Sequence, residues 1–290
     1  MDILDVDLLA FETGDRAARA AVVDGVTRSL TTGFVYVEHD LSGDLLDEAY
    51  ACRERFVSLP QERKDAYHVP GSHGQSGYTG LLVETAATAD VPDWKEILNW
   101  GATVPEGHPL RQLSPHRYGP VVLPDDDIPG VRELQTRFHD SVYDLQARVL
   151  RIIATGLGLD DRFFDAMLGD GATLTRAIHY PAMAGAPGDT HVWAGEHADI
   201  NLVTALPRAT ASGLQVRVDD GWVDTAPPDR SAIINTGLML EHLTNGAIPP
   251  GTHRVVAHPD QQGDRYSVVQ FAHPTPWTIL QPVPTCVTPE

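Results

Sequence analysis

The apolar positions of this chain change period near its middle. Between residues 130 and 157, Val131, Leu134, Phe138, Val142, Leu145, Val149 and Ile152 recur every three or four positions, which places them on one stripe of an α-helix. Gly156 and Gly158 follow the stripe and supply its stop. The Gly-x-Gly they form ends a helix instead of joining a strand to one, so it reads as a cap and not as a nucleotide loop. Two further stretches, 16–31 (ended by Gly33) and 43–58 (stopped at Pro60), also read as helices, with the apolar strand Phe34-Val35-Tyr36-Val37 between them. From Thr173 the apolar runs shorten. The spacing predicts strands over 173–180, 200–206, 213–218, 231–235, 253–257 and 265–272, separated by turns such as Asp219-Asp220-Gly221 and Pro227-Pro228-Asp229.

Many short strands at this spacing indicate a mainly β fold, a sandwich or jelly roll with flanking helices. No linker, repeat or low-complexity tract interrupts the chain. A single domain over 1–290 is therefore expected: a helical N-terminal region (1–172), a jelly-roll core (173–275) and a tail (276–290). The stretch from Val69 to Pro129 is irregular and rich in Gly, Pro and His. Within it, Gly77-Tyr78-Thr79-Gly80 and the run from Asp93 to Trp100 read as pieces of an active-site wall.

Composition narrows the function. Hydrophobic residues at 42% and charged residues at 21% describe an ordinary soluble protein. The 21 basic and 40 acidic side chains give a formal charge of −19, a surface that repels a phosphate backbone, so nucleic acid is not an expected partner. Cys52 and Cys286 are the sole cysteines; two thiols this far apart in sequence build neither a disulfide framework nor a zinc–thiolate site, as in a reducing cytoplasm. The acidic start, Met1 to Asp7, lacks the layout of a signal peptide. No apolar run approaches the roughly 20 residues of a spanning helix. The expectation is a soluble, cytoplasmic protein with no membrane partner.

The candidate chemistry lies in the strand-rich half. His197-Ala198-Asp199 offers two ligands at alternate positions, which share a face if the segment is a strand. His253 follows 54 positions after Asp199, far enough for the chain to reverse and bring a third ligand alongside. Two imidazoles and one carboxylate that leave the opposite face of a metal open are the signature of non-haem Fe(II) oxygenases. Taken singly, the His-x-Asp is as well explained by a surface ion pair, and His253 by a hydrogen-bonded core histidine. Zinc accepts the same ligands. Arg265 and Ser267, two apart on a strand, point the same way and can hold a carboxylate. An arginine clamp serves a keto-acid co-substrate and has no use at a catalytic zinc. His179, on the strand with Arg176 and Ile178, is a candidate to face the cavity, whereas His191, His242, His258 and His273 read as loop or surface histidines.

Several motifs in order resemble the isopenicillin N synthase-like branch of the 2-oxoglutarate/Fe(II) dioxygenases. They are Tyr180-Pro181, the run from Ala194 to Leu206, Ser212-Gly213-Leu214-Gln215-Val216, Gly221-Trp222-Val223, Ile234-Asn235-Thr236-Gly237, Leu243-Thr244-Asn245-Gly246, Thr252-His253-Arg254-Val255 and Arg265-Tyr266-Ser267. The match is close over 173–275 and loose before it. The resemblance implies a double-stranded β-helix with Fe(II) at one mouth, held by His197, Asp199 and His253. It implies 2-oxoglutarate held by Arg265 and Ser267, with Tyr180 beside it, and O2 as the oxidant. Two departures stand out: Gly237-Leu238 replaces the usual Gly-Asp, and Ile178 replaces an asparagine two before the tyrosine. The implied activity is oxidation of a small molecule, an amino acid or natural-product intermediate, with release of succinate and CO2. An iron oxidase using O2 without 2-oxoglutarate, and a non-catalytic metal- or ligand-binding jelly roll, keep the same residues. Candidate substrate contacts are Tyr78, Lys95, Asn99, Trp100, Arg176 and Trp193. Lys95 and Arg176 favour a substrate carboxylate.

Overall fold

β-Branched and aromatic runs build two sheets whose inner faces meet around one cavity. The computed structural model describes residues 2–72, 74–86, 90–188, 190–208 and 210–287. Its strands are β1 (Asp5–Asp7), β2 (Phe34–Glu38), β3 (Gly77–Thr79), β4 (Glu96–Gly101), β5 (Leu174–Tyr180), β6 (Ala194–His197), β7 (Val203–Leu206), β8 (Leu214–Val218), β9 (Gly221–Asp224), β10 (Ser231–Thr236), β11 (His253–Val255) and β12 (Arg265–Ala272). The larger sheet runs β1-β2-β10-β7-β12-β5-β4-β3 and the smaller β6-β11-β8-β9. The β1–β2 pair is parallel; β2 to β10 and β12 to β5 are antiparallel. This is the expected jelly roll with flanking helices.

Period-2 alternation sorts the two faces of each strand. On β5, Arg176, Ile178 and Tyr180 face the cavity. The alternate residue Thr175 meets His139 of the long helix at 2.7 Å. His179 points away from the cavity, between Glu96 (2.7 Å) and Asp264 (2.9 Å), which corrects the expectation that it faces inward.

The helix Val131–Gly156 lies against β7 and β12 on the outer face of the larger sheet. Phe138, Val142, Leu145 and Val149 are fully buried along it, each worth roughly 1.5–3 kcal/mol of transfer free energy. Gln146 fastens the helix to the sheet by donating to the carbonyls of Val203 (3.0 Å) and Gln270 (2.7 Å). The helix closes as a Schellman motif: Gly158, at φ +70°, donates to Thr155 O (3.0 Å), and Leu159 donates to Ala154 O (2.9 Å).

Several boundaries move. The helix expected over 16–31 spans Arg16–Ser29, with a 3₁₀ turn at Leu30–Thr32 closed by left-handed Gly33. The strand expected over 200–206 starts at Val203, because 198–202 form the crossover between the two sheets. The strand expected over 253–257 ends at Val255. The N-terminal region is less purely helical than its composition suggests, since β1 to β4 extend both edges of the larger sheet. β2 is the apolar strand expected at 34–37; β1 and β3 have only three residues each, and β4 pairs with β5 far away in sequence, so local periodicity carries little signal for these three. No described helix is long and apolar enough to cross a membrane.

Candidate active site

β6 ends at His197 and β11 begins at His253, and the two residues are direct partners across the antiparallel pair. Their ring centroids lie 4.3 Å apart. Each imidazole uses Nδ1–H to donate to the carbonyl two residues before it, Gly195 O at 2.8 Å and Gly251 O at 2.9 Å. With Nδ1 carrying the proton, each ring keeps the Nε2 lone pair for a metal.

Asp199 lies beyond β6, in the turn that crosses to β7, so His197 and Asp199 are not alternate residues of one strand as expected. The turn is held from several sides. Leu238 N–H donates to Asp199 O at 2.8 Å, and Asn201 Nδ2 donates to Val203 O at 2.9 Å. Gly237 approaches so closely that a Cβ there would stand 2.2 Å from Asn201 O, so only glycine fits. The Gly237-Leu238 departure therefore starts the short helix Leu238–Leu243 and still supports Asp199 through its backbone. The carboxylate is aimed by Thr204 Oγ1 (2.5 Å) and Asn235 Nδ2 (2.8 Å), both donating to Oδ2. Oδ1 lies 3.9 Å from His197 Nε2. One ligand atom from each of His197, Asp199 and His253 falls within 4.8 Å of the others.

Electrostatics agree with ligand duty. Burial, and then the neighbouring His253, push the His197 imidazole down to about 4, so it is neutral near pH 7. Burial opposes ionisation of Asp199, yet the two imidazoles and the hydrogen bonds from Thr204 and Asn235 hold its carboxyl below the usual range. Two imidazole nitrogens and one carboxylate oxygen suit a ferrous ion with open positions.

An inner cavity extends from these groups between the sheets, lined by Tyr180, Ile178, Leu206, Ile233, Val255 and Val269, with Arg265 and Ser267. Arg265 is 1% exposed. Its Nε donates to the carbonyls of Ala211 (3.3 Å) and Ser212 (3.2 Å), and Nη1 donates to Ser267 Oγ at 3.3 Å. The guanidinium stands 5.0 Å from the Tyr180 ring centroid. Among the described residues no carboxylate pairs with it. A buried cation without a counter-charge is costly, and a ligand carboxylate would supply the missing partner in the geometry guanidinium favours.

A second, outer cavity opens beside His197 and Asp199. Lys95, Arg176, His197, Asp199 and Phe271 line both; Glu84, Asp93, Ile200 and His273 belong to the outer one. Of the six candidate substrate contacts, Lys95 and Arg176 reach this space. Tyr78 instead donates to buried Glu96 at 2.5 Å. Trp100 donates to Gln135 O at 3.2 Å beneath the long helix, and Trp193 donates to Pro181 O at 2.8 Å behind Tyr180. Asn99 is fully buried and accepts from Arg176 Nε at 3.1 Å, so it acts behind the wall. From sequence alone neither Glu84 nor Phe271 stands out as a site residue, and Asp93, Thr204 and Asn235 have no role beyond membership of a wall segment or a motif. For Thr204 and Asn235 a signal existed: polar residues inside apolar strands need partners when buried.

Comparisons with known proteins agree with this geometry. Residues 172–274 match the 2OG-Fe(II) oxygenase superfamily model. Residues 2–126 match the N-terminal model described as non-haem dioxygenase in morphine synthesis. A 2-oxoglutarate-Fe(II) type oxidoreductase of Aspergillus fumigatus is 27% identical over 92% of this chain and 80% of its own. A full-length Neurospora crassa protein, crystallised in complex with alpha-KG and thymine, superposes with a TM-score of 0.85 at 26% identity, covering 99% of this chain and 90% of that one. A Caulobacter crescentus protein described as of the 2OG-Fe(II) oxygenase family superposes with a TM-score of 0.85 at 32% identity, covering 99% of this chain and 91% of that one. With its candidate ligand triad, its buried arginine without a carboxylate partner among the described residues and these likenesses along nearly its whole length, this chain belongs to the 2-oxoglutarate-Fe(II) oxygenase family.

Proposed function

We propose that His197, Asp199 and His253 hold the ferrous ion, and that Arg265, assisted by Ser267, anchors the far carboxylate of 2-oxoglutarate with Tyr180 walling that end. A small-molecule substrate then occupies the outer cavity beside Lys95 and Arg176. The observation that carries this reading is the meeting of two cavities at His197 and Asp199, whose ligand atoms converge with that of His253, and a buried guanidinium in the inner one with no carboxylate partner among the described residues. When bound, the iron and 2-oxoglutarate supply O2 activation, and the co-substrate leaves as succinate and CO2. The residues of this chain orient both reactants and keep the inner cavity dry, which strengthens the arginine–carboxylate contact. The Neurospora relative was crystallised with thymine and alpha-KG together, which supports a small-molecule substrate here, as does a formal charge of −19 against nucleic acid. We further read the chain as one domain, supported by the way β1 to β4 complete the sheet of the later strands.

Two variants test the reading. Asp199→Ala should purify folded but retain no stoichiometric iron by metal analysis and show no turnover. Arg265→Ala should bind iron normally and lose about 2–4 kcal/mol of 2-oxoglutarate affinity, roughly 30- to 1000-fold. Full iron in the first variant, or unchanged 2-oxoglutarate affinity in the second, would overturn the respective assignment. Succinate released per turnover separates this activity from an oxidase that uses iron and O2 alone: one equivalent is expected, none for the oxidase.

A further inference from the structure

The outer cavity carries a charge arrangement that defines what it can bind. Arg176 and Lys95 look at first like anchors for a substrate carboxylate. Both are already engaged. Glu84 Oε2 lies 3.2 Å from Arg176 Nη1 and 3.2 Å from Lys95 Nζ, and Asp93 Oδ2 lies 2.8 Å from the same ammonium. Two cations meet two carboxylates, so the wall is neutral overall. Burial opposes charging of Glu84, but Arg176 and Lys95 hold it below the usual carboxylate range. Lys95, likewise opposed by burial, is kept charged by Glu84 and Asp93.

The groups left over are informative. Among the described residues Arg176 Nη2 has no acceptor, since Nε is used by Asn99 Oδ1 and Nη1 by Glu84. Glu84 Oε1 has no donor there, because both of its ion pairs fall on Oε2. A donor and an acceptor thus remain on two side chains that are joined by an ion pair and both line the outer cavity. Beneath them the Phe271 ring, 5.4 Å from the Arg176 guanidinium, supplies a flat apolar surface shared with the iron-facing cavity. A carboxylate entering here meets Arg176 but also the fixed negative charge of Glu84, and like-charge contact in a partly desolvated site is strongly disfavoured. An amide edge, one C=O beside one N–H, satisfies both leftover groups and adds no charge.

We infer that the substrate is an uncharged molecule presenting a cyclic amide, imide or ureide edge to Arg176 and Glu84, with its ring against Phe271, and not a free carboxylic or amino acid. This rests on the iron and 2-oxoglutarate assignment above, because the same cavity must open onto the metal. Glu84 is the specificity-determining residue: it turns an apparent acid-binding pair into an amide reader.

Calorimetry on the anaerobic protein loaded with Fe(II) and 2-oxoglutarate tests this, using three neutral probes (uracil, glutarimide, 2-pyrrolidone) against orotate, which is uracil with a carboxylate, and L-proline. The visible charge-transfer band of the iron–keto-acid chelate is recorded first. The expected result is binding of at least one neutral probe about tenfold or more tighter than orotate and L-proline. Glu84→Gln should leave the band intact and move the uracil-to-orotate ratio about tenfold or more toward orotate; a residue that only braces the wall would weaken both ligands alike and leave the ratio fixed. Orotate or L-proline binding as tightly as the neutral probes, no neutral probe binding up to about 10 mM, or an unmoved ratio in Glu84→Gln would each overturn the inference while the band stands. Absence of the band in the unaltered protein would instead overturn the iron-site assignment and this inference with it.

Discussion

At the residue scale, the proposed metal ligands are held by groups outside the triad. Asp199 would swing freely on its turn were Oδ2 not occupied by Thr204 and Asn235; with that oxygen engaged, Oδ1 is the one that faces His197. Outer partners of this kind usually carry a factor of about 10–100 in metal affinity. Asn235→Ala should therefore keep the fold and weaken iron binding by about that factor, read by competition with a chelator, while 2-oxoglutarate affinity at saturating iron stays within error. An unchanged iron affinity would show that Thr204 alone aims the carboxylate. The same scale explains why Arg176 and Lys95 mislead when read as letters. A cation's availability depends on its partners, and Glu84 and Asp93 are assigned to them only by the folded chain.

At the element scale, the long helix is the rigid backing of the strands that carry the site. Leu145, fully buried on its stripe, packs among residues that cannot collapse easily between helix and sheet. Leu145→Ala should lower unfolding free energy by about 2–5 kcal/mol, measured by urea denaturation, with little change in the slope. A loss under about 1 kcal/mol would mean that the helix–sheet interface is far softer than its close packing implies. The helix was legible because its apolar stripe and its Gly158 stop are local features. β3 and β4 are not, although the run from Asp93 to Trp100 reads as a wall: β4 pairs with β5 some 80 residues later, a match that no local pattern encodes.

At the scale of the whole molecule, buried ionisable groups set the acid limit of stability. Burial pushes His139 down to about 4 where it meets Thr175 beneath the long helix. Its folded pKa lies below the unfolded value, so its contribution is fully present above about 6.5 and is lost as pH falls toward 4. Glu96 behaves alike at lower pH. Burial works against its charge, but His179, Lys64 and Tyr78 hold its carboxyl down to about 2, so that contribution fades from about 4.5 downward. The unfolding midpoint in urea should fall steadily between pH 7 and pH 4.5, and His139→Gln should flatten that slope, removing on the order of 3 kcal/mol of pH dependence. An identical slope in the variant would place the acid-labile group elsewhere.

The chain's own letters determined its chemistry. His197, Asp199, His253, Arg265 and Ser267 could be proposed from type and order, because ligand softness and guanidinium geometry are properties of side chains. The strand-rich half and the long helix followed from local periodicity, which reports which face a residue takes. What periodicity cannot report is what stands opposite that face. The crossover that carries Asp199 between sheets, the burial of Tyr78, Trp100 and Trp193 away from the cavity, the turning of His179 toward Glu96 and Asp264, and the pairing of Arg176 with Glu84 across 92 positions were decided by tertiary structure alone. Each depends on the register of segments distant in sequence, and a shift of one residue in a strand would exchange its cavity-facing set for its outward one.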